Sequence, residues 1–156
     1  MTVKKRPPLK RHRSLQPLSR EHHFSLLLCW KIRKGLEKGV EIPRMEEYLK
    51  TVWDKQIAEH FQIEEDYVFP VLPADHPGVQ KAIREHKTLK RLFSTKKYSI
   101  KTLNRIEETM EAHIRFEERE LFPEAQKVAT AEEWERLEEA HDTPIAEVQW
   151  DDEFWV

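Results

Sequence analysis

The chain has 156 residues, enough for one domain of ordinary size. Its 27 Lys and Arg against 29 Asp and Glu leave a net charge of −2, without the basic excess of a general nucleic-acid binder. Seven Phe, five Trp and three Tyr are too many for a disordered chain, three Gly are few for an all-β or Rossmann fold, and the single Cys29 excludes an intramolecular disulfide and a multi-cysteine metal site.

Residues 1–14, MTVKKRPPLKRHRS, hold six Lys and Arg and no acid. They are expected to form an extended, partly mobile arm, either a solubilising tail or a contact for an acidic end of the same or another chain. A first helix is expected over 18–38, with Ser19 as its cap and Gly39 just past its end. A second opens at Pro43 and runs unbroken to Phe69, where Pro70 stops it; its 27 or so residues span about 40 Å. Residues 72–78, LPADHPG, read as a turn. A third helix follows to Phe93 and a fourth spans 100–122, stopped by Pro123. A short fifth begins at Thr130, where Thr130-Ala-Glu-Glu133 has the form of a capping box. No stretch alternates with period two, so no strand is expected. Four long helices with short links imply an all-α, up-down-up-down four-helix bundle with a short C-terminal helix. The domain plan is a basic arm (1–14), a bundle (15–125), and a short helix with an acidic aromatic tail (126–156). No apolar run approaches the roughly 18–20 residues of a membrane span, and the basic N-terminus lacks the apolar stretch of a secretory signal. The cytoplasm is the expected compartment.

Eight histidines stand beside the one cysteine, and several are placed by a repeat. Residues 60–70 read HFQIEEDYVFP and residues 113–123 read HIRFEERELFP, with His, Glu, Glu, Phe and Pro at identical spacing. Glu21-His22 and Glu85-His86 echo each other upstream. His60 with Glu64, and His113 with Glu117, are i,i+4 pairs, one above the other on a helix face. His60 shares its stripe with Trp53, Ile57, Ile63 and Tyr67; His113 with Ile106, Met110, Phe116 and Leu121; His86 with Val79, Ile83, Leu89 and Phe93. On the first helix His22 lies with Leu18, Leu26 and Cys29, while His23 lies nearer Trp30 and Lys34. His22 is the preferred candidate and His23 the alternative. Carboxylates facing a core must be paired or bound to a cation. Imidazole and carboxylate without thiolate suit iron, manganese or zinc. Two glutamates from different helices can bridge two ions, with two histidines capping each and positions left open for oxygen, nitric oxide, peroxide or water.

This H…HxxxE…H…HxxxE order over residues 15–125, with its Phe69-Pro70 and Phe122-Pro123 helix ends, resembles the hemerythrin-like (HHE cation-binding) domain family. The resemblance implies a four-helix bundle around a non-haem di-iron centre, bridged by carboxylates and an oxo or hydroxo group. Carried over by position, the metal ligands are His22, His60, Glu64, His86, His113 and Glu117. The cofactor is two iron ions, with manganese or zinc as alternatives. Two positions depart from the oxygen-carrying members: Lys90 stands four residues after His86 where they have a further His, and Glu117 stands at +4 from His113 where they use an Asp at +5. The pattern is closer to the four-His, two-Glu centres of iron–sulfur repair and stress-response members. The expected function is binding or reaction with O2, NO or peroxide, or handling of labile iron, with a small diatomic ligand as partner and neither nucleic acid nor membrane. The alternative is a metal-stabilised structural or interaction module without redox chemistry.

The remaining candidates read more simply. His12, His76 and His141 are expected at the surface, and Cys29 as a core residue. Tyr67 is expected in the core or beside the ligands, Glu65 and Glu118 at the surface or beside the ligands. Glu138-Glu-Ala-His141 is a single ExxH where ferritin-like di-iron sites need two.

Overall fold

The computed structural model describes residues 10–156; residues 1–9 of the expected basic arm lie outside the described residues. Among the described residues the protein is all-helical, with four long helical rods, a short fifth helix and no strand. No helix among them is long and apolar enough to cross a membrane.

The first rod is α1, Gln16–Glu37. It starts earlier than expected because Pro17 serves its first turn, where a missing N–H leaves nothing unpaired. Ser19 therefore does not cap it; its hydroxyl donates to Glu118 Oε2 at 2.8 Å instead. Gly39 takes φ +69°, the left-handed conformation that ends helices. Gly35 lies mid-helix for a packing reason: a Cβ there would come within 2.6 Å of Met45 Cε and 3.1 Å of Phe154 Cδ1.

The second rod is continuous, as expected, but not uniform. It comprises α2 (Ile42–Val52), a π-helical turn (Trp53–Ile57), α3 (Ala58–Ile63), a second π turn (Glu64–Val68) and a closing 3-10 turn (Phe69–Val71). The third rod is α4, Pro77–Phe93, capped by His76, whose Nδ1 accepts from the Gly78 and Val79 N–H groups. The fourth is α5 (Ile100–Phe116), a third π turn (Glu117–Leu121) and α6 (Phe122–Val128). Pro123 does not stop this rod. In the wider π register residue 123 would donate to the Glu118 carbonyl, and Pro123 has no N–H to give. Arg11 Nη2 donates to that carbonyl instead, at 2.8 Å. Finally α7, Ala131–Ala140, opens on the Thr130–Glu133 capping box read from the sequence.

Side-chain contacts set the relative directions of the rods. His60 meets Glu21 while Tyr48 meets Lys31, so the first two rods run antiparallel. Trp53 stacks on Phe93 and Glu65 meets His86, so the second and third do too. Lys81 lies over Phe116 and Glu85 meets His113, and Ser19 meets Glu118 while Cys29 meets the Glu107 carbonyl. The same relation thus holds between the third and fourth rods and between the fourth and first.

Apolar packing falls into two clusters. One gathers Leu28, Ile32, Leu49, Ile57, Phe93 and Ile106; the other gathers Leu15, Leu18, Val79, Leu121, Phe122 and Leu137. Each rod passes from one cluster to the other, and the residues between are polar and buried. Chain ends cover the rods. Ser14 Oγ donates to Glu138 at 2.7 Å, and His12 stacks on Trp134 with ring centroids 4.1 Å apart. At the other end Phe154 and Trp155 pack around Tyr48, and the Lys31 ammonium sits 4.0 Å from the Trp155 ring.

Candidate metal centre

The polar layer consists of His22, His60, Glu64, His86, His113 and Glu117, all buried. Eight of its atoms, the four histidine Nε2 atoms and all four carboxylate oxygens of Glu64 and Glu117, have no hydrogen-bond partner. They are nevertheless close. His113 Nε2 lies 2.8 Å from Glu117 Oε1, and His86 Nε2 lies 3.1 Å from Glu64 Oε1. His22 Nε2 lies 3.3 Å from Glu117 Oε1, and His60 Nε2 lies 3.4 Å from Glu64 Oε2. Such distances without hydrogen-bond geometry are what atoms facing a shared space produce. A coordination polyhedron with bonds of about 2.1 Å has edges of about 3 Å.

The ligand-type atoms form two groups that could each hold a metal ion: His22, His60, Glu64 and Glu117, and His86, His113, Glu64 and Glu117. Both glutamates belong to both groups. Eight buried polar atoms with nothing between them would cost about as much as a domain's whole marginal stability, so protons or cations must lie among them. A donor set of imidazole and carboxylate, with no thiolate, matches a first-row transition ion of the iron, manganese or zinc kind.

The opposite nitrogen of each imidazole is held by a second carboxylate. His22 Nδ1 pairs with Glu118 at 2.7 Å, His60 with Glu21 at 2.7 Å, His86 with Glu65 at 2.9 Å and His113 with Glu85 at 2.9 Å. An ionised carboxylate only accepts, so each Nδ1 is the donor and each neutral ring presents the Nε2 lone pair inward. The pattern is cyclic: each rod supplies a carboxylate to the histidine of the next, and the fourth supplies the first. Sequence reasoning had Glu65 and Glu118 as surface or neighbouring acids and assigned Glu21 and Glu85 no role. The signal was there in the repeat, since both Glu-His pairs and both Glu-Glu pairs recur at the same places.

Burial alone would lower an imidazole's pKa, but the surrounding carboxylates outweigh it. His60 rises to about 8 under the Glu64 charge and the Glu21 hydrogen bond, and His113 to about 10 under Glu117 and Glu85. His22 and His86 are raised too, by Glu117 and Glu118 and by Glu64 and Glu65 respectively. Glu64, despite burial, is held well below the usual carboxylate range by the histidines around it. An ionised, dry Glu64 demands positive charge. Protons on the imidazoles or cations between them can supply it, and the two compete.

His22 is buried in the layer, while His23 faces out and is exposed. His141 is not a surface residue: it is 5% exposed, and its Nε2 donates to Glu21 Oε2 at 2.7 Å. His76 caps α4 and meets Glu124 at 2.7 Å, and His12 is half-buried against Trp134. Tyr67, expected in the core or beside the ligands, is exposed, because the π turn that starts at Glu64 rotates the residues after it off the α-helical stripe. Lys90 is exposed and lines a surface cleft beside His86. Cys29 is buried, its thiol pushed up to about 12 by burial and by Glu107 and Glu111, so it is no nucleophile. Comparison of the chain with protein-family models, with curated proteins and with solved structures finds no match.

Proposed function

We propose that the protein is a non-haem di-iron protein of the hemerythrin-like type, an up-down-up-down four-helix bundle with a short fifth helix. His22, His60, His86 and His113 would hold its two ions, with Glu64 and Glu117 within reach of both. The observation that carries the reading is the set of eight buried, unpartnered nitrogen and oxygen atoms in two groups that share both glutamates. Two imidazoles and two carboxylates per ion leave coordination positions free for a small ligand. Iron there supplies Lewis acidity and one-electron chemistry. The chain's own residues fix the imidazoles through Nδ1 and keep bulk water out with apolar packing on both sides. The function that follows is binding or reaction with O2, NO or peroxide, or custody of labile iron.

The test is metal analysis of protein purified aerobically from iron-supplemented cells, followed by stopped-flow mixing of the reduced protein with O2 or NO. About two irons per chain and a fast spectral change are expected. Metal content near zero after reconstitution would refute the reading. Two metals with no response to either gas would favour a structural role for the ions.

A further inference from the structure

The two halves of the ligand repeat are alike in sequence, but their supports differ. Behind His60, Glu21 is 2% exposed and has two further partners on its Oε2: His141 Nε2 at 2.7 Å and the Ile145 N–H at 3.2 Å. Behind His22, Glu118 also takes the Ser19 hydroxyl at 2.8 Å and Arg11 Nη2 at 3.2 Å. Both supports of this pair are therefore tied to other parts of the chain, including the C-terminal segment and the residues before α1. Behind His86 and His113, Glu65 and Glu85 have no hydrogen-bond partner other than their histidine among the described residues. Exposure alone does not separate the pairs, since Glu118 is 27% exposed and Glu85 21%. Anchoring does.

Access differs in the same sense. A cleft of about 310 Å³ is lined by Trp53, Ala58, Phe61, Glu65, His86 and Lys90. It reaches a ligand histidine and the carboxylate that orients it. Phe61, which lines the same cleft, is stacked on His86 with ring centroids 3.8 Å apart. The other described clefts are lined by none of the four ligand histidines.

Building on the two-ion reading above, we propose that the two positions are not equivalent. The ion on His86 and His113 is the exchangeable one, reached through the Trp53–Lys90 cleft, and the ion on His22 and His60 is the retained one, locked by the chain ends through Glu21 and Glu118. An imidazole whose orienting carboxylate is free to swing leaves its ion more readily, and losing such a support typically weakens metal binding about 10–100-fold. The pair with anchored supports keeps its geometry when its ion is challenged.

The experiment loads the full-length protein with two equivalents of ferrous iron without oxygen, confirms the stoichiometry, and mixes it with excess coloured ferrous chelator. Two phases of equal amplitude are expected, separated by about tenfold or more in rate. Glu85→Gln should speed the fast phase alone, and Ala58→Phe, which fills the cleft, should slow the fast phase alone. His141→Ala should speed the slow phase alone, and His141→Gln, which can still donate to Glu21, should restore it. Loss of both irons in a single phase, or an effect of His141→Ala on the fast phase, overturns the inference while leaving the two-ion reading intact. Failure to load two irons overturns both.

Discussion

The four histidines of the buried layer carry raised pKa values because carboxylates flank them on both ring nitrogens, and this makes the cation-free protein sensitive to pH. A raised imidazole stabilises the fold fully below its unfolded value of about 6.5. That stability is lost as pH rises through the folded value, about 8 for His60 and about 10 for His113. Between pH 6.5 and 8.5 the folded state holds more protons than the unfolded one, so stability falls. Urea melts of metal-free protein should give a lower midpoint at pH 8.5 than at pH 6.5, and a flat or rising midpoint would contradict the charge balance described. Metal affinity should move the other way, rising with pH as protons leave the same atoms. Cys29 offers a simpler check: it should resist thiol reagents in the native protein and react once unfolded. These residue-level roles were partly legible in sequence. The i,i+4 pairs marked His60 with Glu64 and His113 with Glu117, since that relation lies within one helix. Of the carboxylates on Nδ1, the sequence leaves Glu65 and Glu118 open between the surface and the neighbourhood of the ligands and marks no role for Glu21 and Glu85, because each acts across a gap to another rod.

Helix types and most boundaries followed from local signals that tertiary packing leaves alone, such as the Thr130–Glu133 box and Gly39. The misreadings, Ser19 as a cap and Pro123 as a stop, have packing causes. Both residues sit at one junction, where Ser19 and Arg11 converge on Glu118. A π turn begins at the first glutamate of each copy of the repeat, Glu64 and Glu117, and widens the helix between that carboxylate and the Phe-Pro pair. After the second of these the chain can continue past Pro123 because a guanidinium takes the place of the missing N–H. Arg11→Ala should therefore cost about 2 kcal/mol, the scale of a hydrogen bond from a charged donor. In a Pro123→Ala background, where residue 123 regains its N–H, the same change should cost about 1 kcal/mol less. A double-mutant cycle by urea denaturation reads the coupling, and strict additivity would mean the carbonyl is served some other way.

Across the molecule, the polar layer interrupts what would otherwise be one continuous core between two apolar clusters. Such a layer is a poor device for stability. Buried ionic networks replaced by well-packed apolar residues are often neutral or stabilising by about 1–4 kcal/mol, whereas removing one member strands its partners. His113→Ala should accordingly destabilise the cation-free protein by about 3 kcal/mol or more, because it leaves Glu117 buried without its nearest imidazole. Replacing all six residues together, the histidines by Leu or Phe and Glu64 and Glu117 by Met, should instead give a protein at least as stable as the cation-free parent. Its supporting acids would not be stranded: Glu21 keeps His141 and the Ile145 N–H, Glu118 keeps Ser19 and Arg11, and Glu65 and Glu85 already reach solvent. Helix content by circular dichroism and the urea midpoint would be compared for the parent, the single variant and the sixfold variant, each free of metal. A sixfold variant that fails to fold would mean the layer specifies the packing of the rods. A stable one would mean that the fold itself does not require the six residues.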